Sequence, residues 1–232
     1  MLKNIKKLKS AEIHYYYFCW LKNNRIMHID FTTIIDYIGT FAFAISGIRL
    51  ASAKRFDWFG AYVVGAATAI GGGTTRDLLL GVTPFWMHQP SYLIVTGLAL
   101  LFVIMFGKHV IRLNNTFFIF DAIGLGLFTV VGIEKSLLAG FPTWVAIIMG
   151  MTTGAVGGVI RDIFINEVPL IFRKDIYAIA CILGGFIYFA CDTLGIGHVT
   201  TQIVTAGSVI LARVVAVKYH ISLPVLKGHE DH

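Results

Sequence analysis

Seven blocks of mostly apolar residues, separated by short charged or turn-rich breaks, account for almost all of the chain after residue 30. Roughly, they cover 31–50, 58–81, 91–107, 116–133, 143–165, 176–192 and 199–217. Each is close to the roughly 20 apolar residues that an α-helix needs to cross a bilayer. Leu78–Gly107 and Thr193–Ala212 contain no Asp, Glu, Lys or Arg. The breaks are Lys54-Arg55-Phe56-Asp57, Lys108-His109, Arg112 to Asn115, Glu134-Lys135 and Arg173-Lys174-Asp175. Pro84, Pro90, Pro142 and Pro169 fall near segment ends, where a missing N–H is tolerated. The pattern predicts an all-α membrane protein with seven transmembrane helices.

The blocks also repeat. Residues 71–84 read GGGTTRDLLLGVTP and residues 156–169 read VGGVIRDIFINEVP, placing Arg-Asp twice at an offset of 85 (161 − 76). The same register pairs Asp36 with Asp121, Gly39 with Gly124, Phe43 with Phe128, Gly47 with Gly132, Gly65 with Gly150, Thr68 with Thr153, Pro84 with Pro169 and Tyr92 with Tyr177. Chance recurrence of apolar letters does not align Asp, Arg and Pro in one register. Each repeat holds three spans, an odd number, so the second enters the membrane from the opposite side. The expectation is two inverted three-helix repeats, 28–112 and 113–197, followed by a seventh helix, 198–219, and a tail, 220–232.

Composition agrees. The chain has 232 residues, 56% hydrophobic and 14% charged, against about 25% charged in soluble domains. Its mean hydropathy is +0.76. The net charge of +6 is a membrane signal, not a nucleic-acid one. From Met27 onward one set of alternate loops and the tail holds Arg49, Lys54, Arg55, Lys108, Arg112, Arg173, Lys174, Arg213, Lys218 and Lys227; the other holds Lys135. The positive-inside rule then puts the chain in the cell (inner) membrane with its N-terminus outside and its C-terminus cytoplasmic. Lys3, Lys6, Lys7, Lys9, Lys22 and Arg25 oppose that bias and form no signal peptide. The expectation is that residues 1–27 are an extension outside the fold and that translation starts at Met27.

Three glycines in a row, Gly71, Gly72 and Gly73, cost about 1 kcal/mol each relative to Ala in a helix. They predict a break or kink in the second span with a fresh half-helix near Thr74, and Gly157 and Gly158 predict the same in the fifth. Close helix crossing is the other use of such glycines. Arg76, Asp77, Arg161 and Asp162 fall inside spans, where charges face a bundle interior or an aqueous cavity and mark solute pathways. Neighbours on a helix point about 100° apart, so each Arg-Asp pair is expected to seek partners in the other repeat or at Asp36 and Asp121. The two uses of these charges, a pathway wall and a structural lock between repeats, are compatible. Asp36 and Asp121 either cap helices or line the path. Thr68 and Thr153 either back-bond to their helices or line the cavity. Trp20, Trp58, Trp86 and Trp144 sit near span edges, as an aromatic belt does. Cys19, Cys181 and Cys191 have no metal-ligand spacing, and the last two read as small buried thiols. No nucleotide loop, metal-ligand set or nucleophile–base arrangement stands out, and no cofactor, metal or enzymatic activity is implied.

With the duplicated Gly-Gly-x-x-Arg-Asp motif, the three-plus-three-plus-one span count and the orientation in place, residues 28–219 resemble the trimeric intracellular cation (TRIC) channel family, in particular its prokaryotic branch. That resemblance implies a homotrimer in which each protomer encloses its own pore for potassium and other monovalent cations. Kinked second and fifth helices would line it, hinged at Gly71, Gly72, Gly73, Gly157 and Gly158. Val156 stands where the first copy has Gly71, and the Lys-Glu-Val sequence of animal members is absent. The residues themselves leave a second reading open, a transporter of a small zwitterion such as glycine, with arginines and half-helix N-termini facing its carboxylate and an aspartate its amino group.

Overall fold

The structure, a computed structural model, describes residues 30–112, 116–173, 176–219 and 221. The expectations for residues 1–27, the start at Met27, Cys19, Trp20 and the tail 220–232 apart from residue 221 lie outside these residues. Seven long α-helices are present among them: α1 (Phe31–Ala53), α2 (Trp58–Leu79), α3 (Ser91–Arg112), α4 (Thr116–Leu138), α5 (Thr143–Phe164), α6 (Ala178–Thr193) and α7 (His198–Lys218). A four-residue helix, Phe85–His88, and a 3-10 turn, Leu170–Phe172, follow α2 and α5. Every apolar block of the sequence falls on one long helix. By length and apolarity, Phe31–Ala53, Phe117–Leu138, Thr143–Phe164 and His198–Lys218 suffice to cross a membrane, and Ser91–Gly107 and Ala178–Thr193 are shorter apolar helices.

The ends follow from local chemistry. Asp57 caps α2, its Oδ1 accepting from Gly60 N at 2.7 Å. Five helix ends close through a residue of positive φ: Arg55 (60°), Gly81 (73°), Gly140 (81°), Asn166 (56°) and Gly195 (69°). In each, the next N–H reaches back five residues, as Val82 N does to the Asp77 carbonyl at 2.9 Å and Glu167 N to that of Asp162 at 2.8 Å. This is the Schellman stop, for which Gly is best suited and Asn tolerated. Arg55 and Gly140, and Gly81 and Asn166, are 85-residue pairs, so the repeat extends to how the chain turns.

Four helices form the centre. α1 packs on α2 and α4, and α5 closes the ring by packing on both α2 and α4; α3 lies against α1 and α2, and α6 and α7 against α4 and each other. The α1–α4 contact is reciprocal. Phe128 lies over Gly39 and Phe43 over Gly124, with the two rings edge-to-face at 5.1 Å.

The α2–α5 contact corrects the expected break. Both helices run uninterrupted through their glycines, and no half-helix begins at Thr74. A Cβ on Gly72 would strike the Thr153 carbonyl oxygen, and one on Gly157 the Thr68 carbonyl oxygen. The glycines are there for backbone-to-backbone crossing, and the close packing offsets their poor helix propensity. Thr68 and Thr153 are buried and back-bond to the Val64 and Met149 carbonyls, each at 2.6 Å.

Valine at Gly72 or Gly157 therefore forces α2 and α5 apart. The expected cost is about 1–3 kcal/mol or more, read as a lower thermal midpoint and loss of the monodisperse peak in detergent. Gly207 has no neighbour within 4 Å of its Cβ position, so Gly207→Ala is expected to leave both readouts unchanged.

Candidate functional site

Thr68, Gly72 and Arg76 succeed one another at intervals of four residues on α2, as Thr153, Gly157 and Arg161 do on α5. Residues four apart share a helix face. The glycine that makes the crossing thus aims the arginine one turn on into the protein. Arg76 is 1% and Arg161 0% exposed. Since α2 and α5 enter the crossing from opposite halves, two charge clusters form.

In the first cluster Arg76 donates to its neighbour, Nε and Nη2 reaching Asp77 Oδ1 at 2.8 and 2.7 Å. This corrects the expectation that Arg76 seeks its partner elsewhere: the long arginine side chain folds back and grips one oxygen of the adjacent carboxylate side-on. Asp77 Oδ2 accepts from Phe85 N at 2.9 Å, immediately after Pro84. Asp36 is not a partner of Arg76. It lies within α1, not at a cap position, and accepts from Lys135 Nζ at 2.9 Å and the Tyr92 hydroxyl at 3.0 Å. Phe85 joins the two pairs, with Lys135 Nζ 4.9 Å and Arg76 Cζ 5.8 Å from its ring centre.

The second cluster is built from the equivalent residues with different bonds. Arg161 Nε donates to Asp162 Oδ1 at 2.9 Å, and Asp162 Oδ2 accepts from Leu170 N at 2.9 Å, again directly after a proline. Here the arginine also reaches the other expected carboxylate, Nη1 donating to Asp121 Oδ1, and to Ser46 Oγ at 3.1 Å. Asp121 lies inside α4 and also accepts from the Tyr177 hydroxyl at 3.4 Å. Phe117 covers the Arg161 guanidinium at 4.7 Å. Arg213 of α7 lies 4.8 Å from the Tyr177 ring centre and donates to the Ile176 carbonyl at 2.9 Å. Arg161 Nη2 and Asp121 Oδ2 are buried without a partner.

The motif's proline, seven residues after its aspartate, now has a reason. It sets the turn that presents the following N–H to the carboxylate, so one aspartate neutralises its arginine and ties down the next segment. A cavity of about 300 Å³ opens beside the second cluster, bounded by Leu50, Lys54, Phe117, Asp162, Glu167 and Arg173. Its rim is charged: Glu167 bridges Lys54 at 2.6 Å and Arg173 at 3.4 Å, and the Lys54 ammonium holds the Glu167 carboxyl below its ordinary range.

Sequence reading singled out Arg76, Asp77, Arg161, Asp162, Asp36 and Asp121, and the structure brings each into one of the two clusters. It places Thr68 and Thr153 at the crossing between them. Missed were Lys135, Ser46 and Arg213, which have no repeat equivalent of like chemistry, and Tyr92 and Tyr177, which the 85-residue register could have flagged.

Known proteins match this architecture. The family described as Glycine transporter matches residues 33–108 and again 118–193, the same 85-residue offset (118 − 33). A UPF0126 membrane protein of Vibrio cholerae is 39% identical over 193 residues, spanning 82% of this chain and 81% of its own. The UPF0126 inner membrane protein YadS of Escherichia coli is 38% identical over 200 residues, spanning 85% and 97%. Among solved structures, the TRIC trimeric intracellular cation channel orthologue from Rhodobacter sphaeroides superposes with a TM-score of 0.77 at 34% identity, covering 82% of this chain and 98% of that one. This chain therefore belongs to the family described as Glycine transporter, and it shares the fold of the prokaryotic TRIC channels.

Proposed function

We propose that this protein is a monovalent-cation channel, permeable to potassium, assembled as a homotrimer with a path inside each protomer lined by α2 and α5. In this reading all seven long helices cross the bilayer as two inverted repeats, 28–112 and 113–197, plus α7. The N-terminus is outside and the C-terminus cytoplasmic, so the Asp36–Lys135 cluster faces out and the Asp121–Arg161 cluster faces in. Gly71 to Gly73 and Gly157-Gly158 are the places where the paired helices can shift, and lipid surrounds the assembly.

The observation that carries this reading is charge compensation. Two arginines beside a path repel cations unless neutralised, and each here is gripped by its own aspartate at 2.7–2.9 Å. The arginines then act as fixed anchors, and Asp36 and Asp121 contribute acceptor oxygens along the route. Relatives solved as TRIC cation channels support the same reading. The second reading, transport of a small zwitterion such as glycine, draws on the family's description and on the unpartnered donor and acceptor at Arg161 Nη2 and Asp121 Oδ2.

Reconstitution into planar bilayers tests the choice. Unitary currents that reverse at the potassium Nernst potential are expected. Saturable glycine uptake with no such currents would give the protein to the second reading. Lys135 has a side chain 28% exposed, so Lys135→Gln is expected to fold and to raise potassium conductance by removing a positive charge from the outer cluster. Asp36→Asn is expected to lower it. Each effect should be several-fold, a barrier change on the order of 1 kcal/mol.

A further inference from the structure

Each motif arginine lies against one phenylalanine, and the two phenylalanines come from positions that the repeat does not relate. Arg76 has Phe85, the residue after the first motif proline, where the other half has Leu170. Arg161 has Phe117, its ring centre 4.7 Å from Arg161 Cζ, where the other half has Thr32. The first ring is fixed on three sides. Phe85 N donates to Asp77 Oδ2 at 2.9 Å, and the ring meets Tyr92 edge-to-face at 4.4 Å. Its Cε1 fills the space where Gly73 has no Cβ.

Phe117 is only half-buried and stands in a more consequential place. α4 begins at Thr116, so no turn of that helix precedes the ring to forbid other χ1 wells, as it does in mid-helix. Asp121 follows four residues later on the same face of α4, which puts the ring one turn nearer the helix end than the carboxylate. Phe117 also borders the cavity of about 300 Å³. That cavity reaches Asp162, yet Asp121 and Arg161 beside it are each 0% exposed. Their Asp121 Oδ2 and Arg161 Nη2 atoms are buried without a partner among the described residues. Ionised groups held short of hydrogen bonds favour hydration, and the cavity is where water would enter. Against that stand the attraction of the ring for the guanidinium and the burial of the ring itself. Opposed effects of similar size act on one side chain that is free to turn.

We propose that Phe117 is a door between the cavity and the Asp121–Arg161 network. With the ring on Arg161 the network is sealed. With the ring turned away, water and a permeating cation reach Asp121, and the cavity is the antechamber of the path. Only the effect on current rests on the channel reading.

Thiol labelling tests the door on the full chain in lipid nanodiscs. Ser46 is 0% exposed and lies 3.1 Å from Arg161 Nη1, whereas Ala53 is exposed and borders the cavity. A small charged methanethiosulfonate reagent should modify Ala53→Cys quickly and Ser46→Cys slowly, as read by mass spectrometry. Phe117→Leu keeps an apolar cover without a ring face for the guanidinium, and should speed labelling at Ser46→Cys several-fold. Phe117→Ala should speed it about tenfold or more, with the rate at Ala53→Cys unchanged. Equal rates at Ser46→Cys with Phe117, Phe117→Leu and Phe117→Ala overturn the door. In planar bilayers, Phe117→Ala should raise the fraction of time spent conducting several-fold and leave the unitary potassium current as it was. A larger unitary current at unchanged open time would make Phe117 a fixed constriction and overturn the door as well. Faster labelling in a chain that carries no current in any variant would support the door and sink the channel reading instead.

Discussion

The fold turns on one backbone contact. α2 and α5 cross with Gly72 against the Thr153 carbonyl and Gly157 against the Thr68 carbonyl. That closeness is available only to residues without a side chain, and in a bilayer it is one of the few sources of helix–helix affinity, because burial of apolar surface gives little. The consequence reaches well past the contact. A residue one turn beyond each glycine must point between the helices, and there the chain places Arg76 and Arg161. Buried guanidinium groups in turn require carboxylates, since an unpaired buried charge costs several kcal/mol. Asp77 and Asp162 meet that need and, through Phe85 N and Leu170 N, fix where the segments after α2 and α5 start.

The two halves share this scheme and depart from it in informative ways. Asp36 and Asp121 are equivalent, as are Tyr92 and Tyr177, and each aspartate accepts from its tyrosine. Asp36 then takes a partly exposed lysine from α4, whereas Asp121 takes the motif arginine itself. Ser46 helps to orient Arg161, and the residue at the equivalent position in the other half is Val131, which can offer nothing to Arg76. Arg213, from the helix outside the repeat, adds a further cation against Tyr177. One end is thus held by a fully buried network, the other by a lysine that water can reach.

Much of this was legible in the sequence because the bilayer makes exceptions conspicuous. Apolar blocks gave the helices, and Arg, Asp and Pro recurring at one offset gave the two clusters. What escaped was set by geometry that spacing does not carry. The triple glycine reads as a helix breaker when judged by propensity alone, yet the crossing partner makes an unbroken helix the better state. Adjacent Arg and Asp point apart at their Cβ atoms, yet a guanidinium is long enough to turn back. Lys135 read as a lone loop charge. Glu134 and His198, 64 residues apart in sequence and in no motif, meet only because α7 packs on α4 and α6.

The central claim is that cations pass within each protomer, between these two clusters. Diffraction from crystals of the trimer grown with thallium in place of potassium tests it most directly. Anomalous peaks are expected inside every protomer, near Asp36 and near Asp121, on the route past the Gly72–Gly157 crossing. Peaks confined to the axis shared by the three protomers would contradict it.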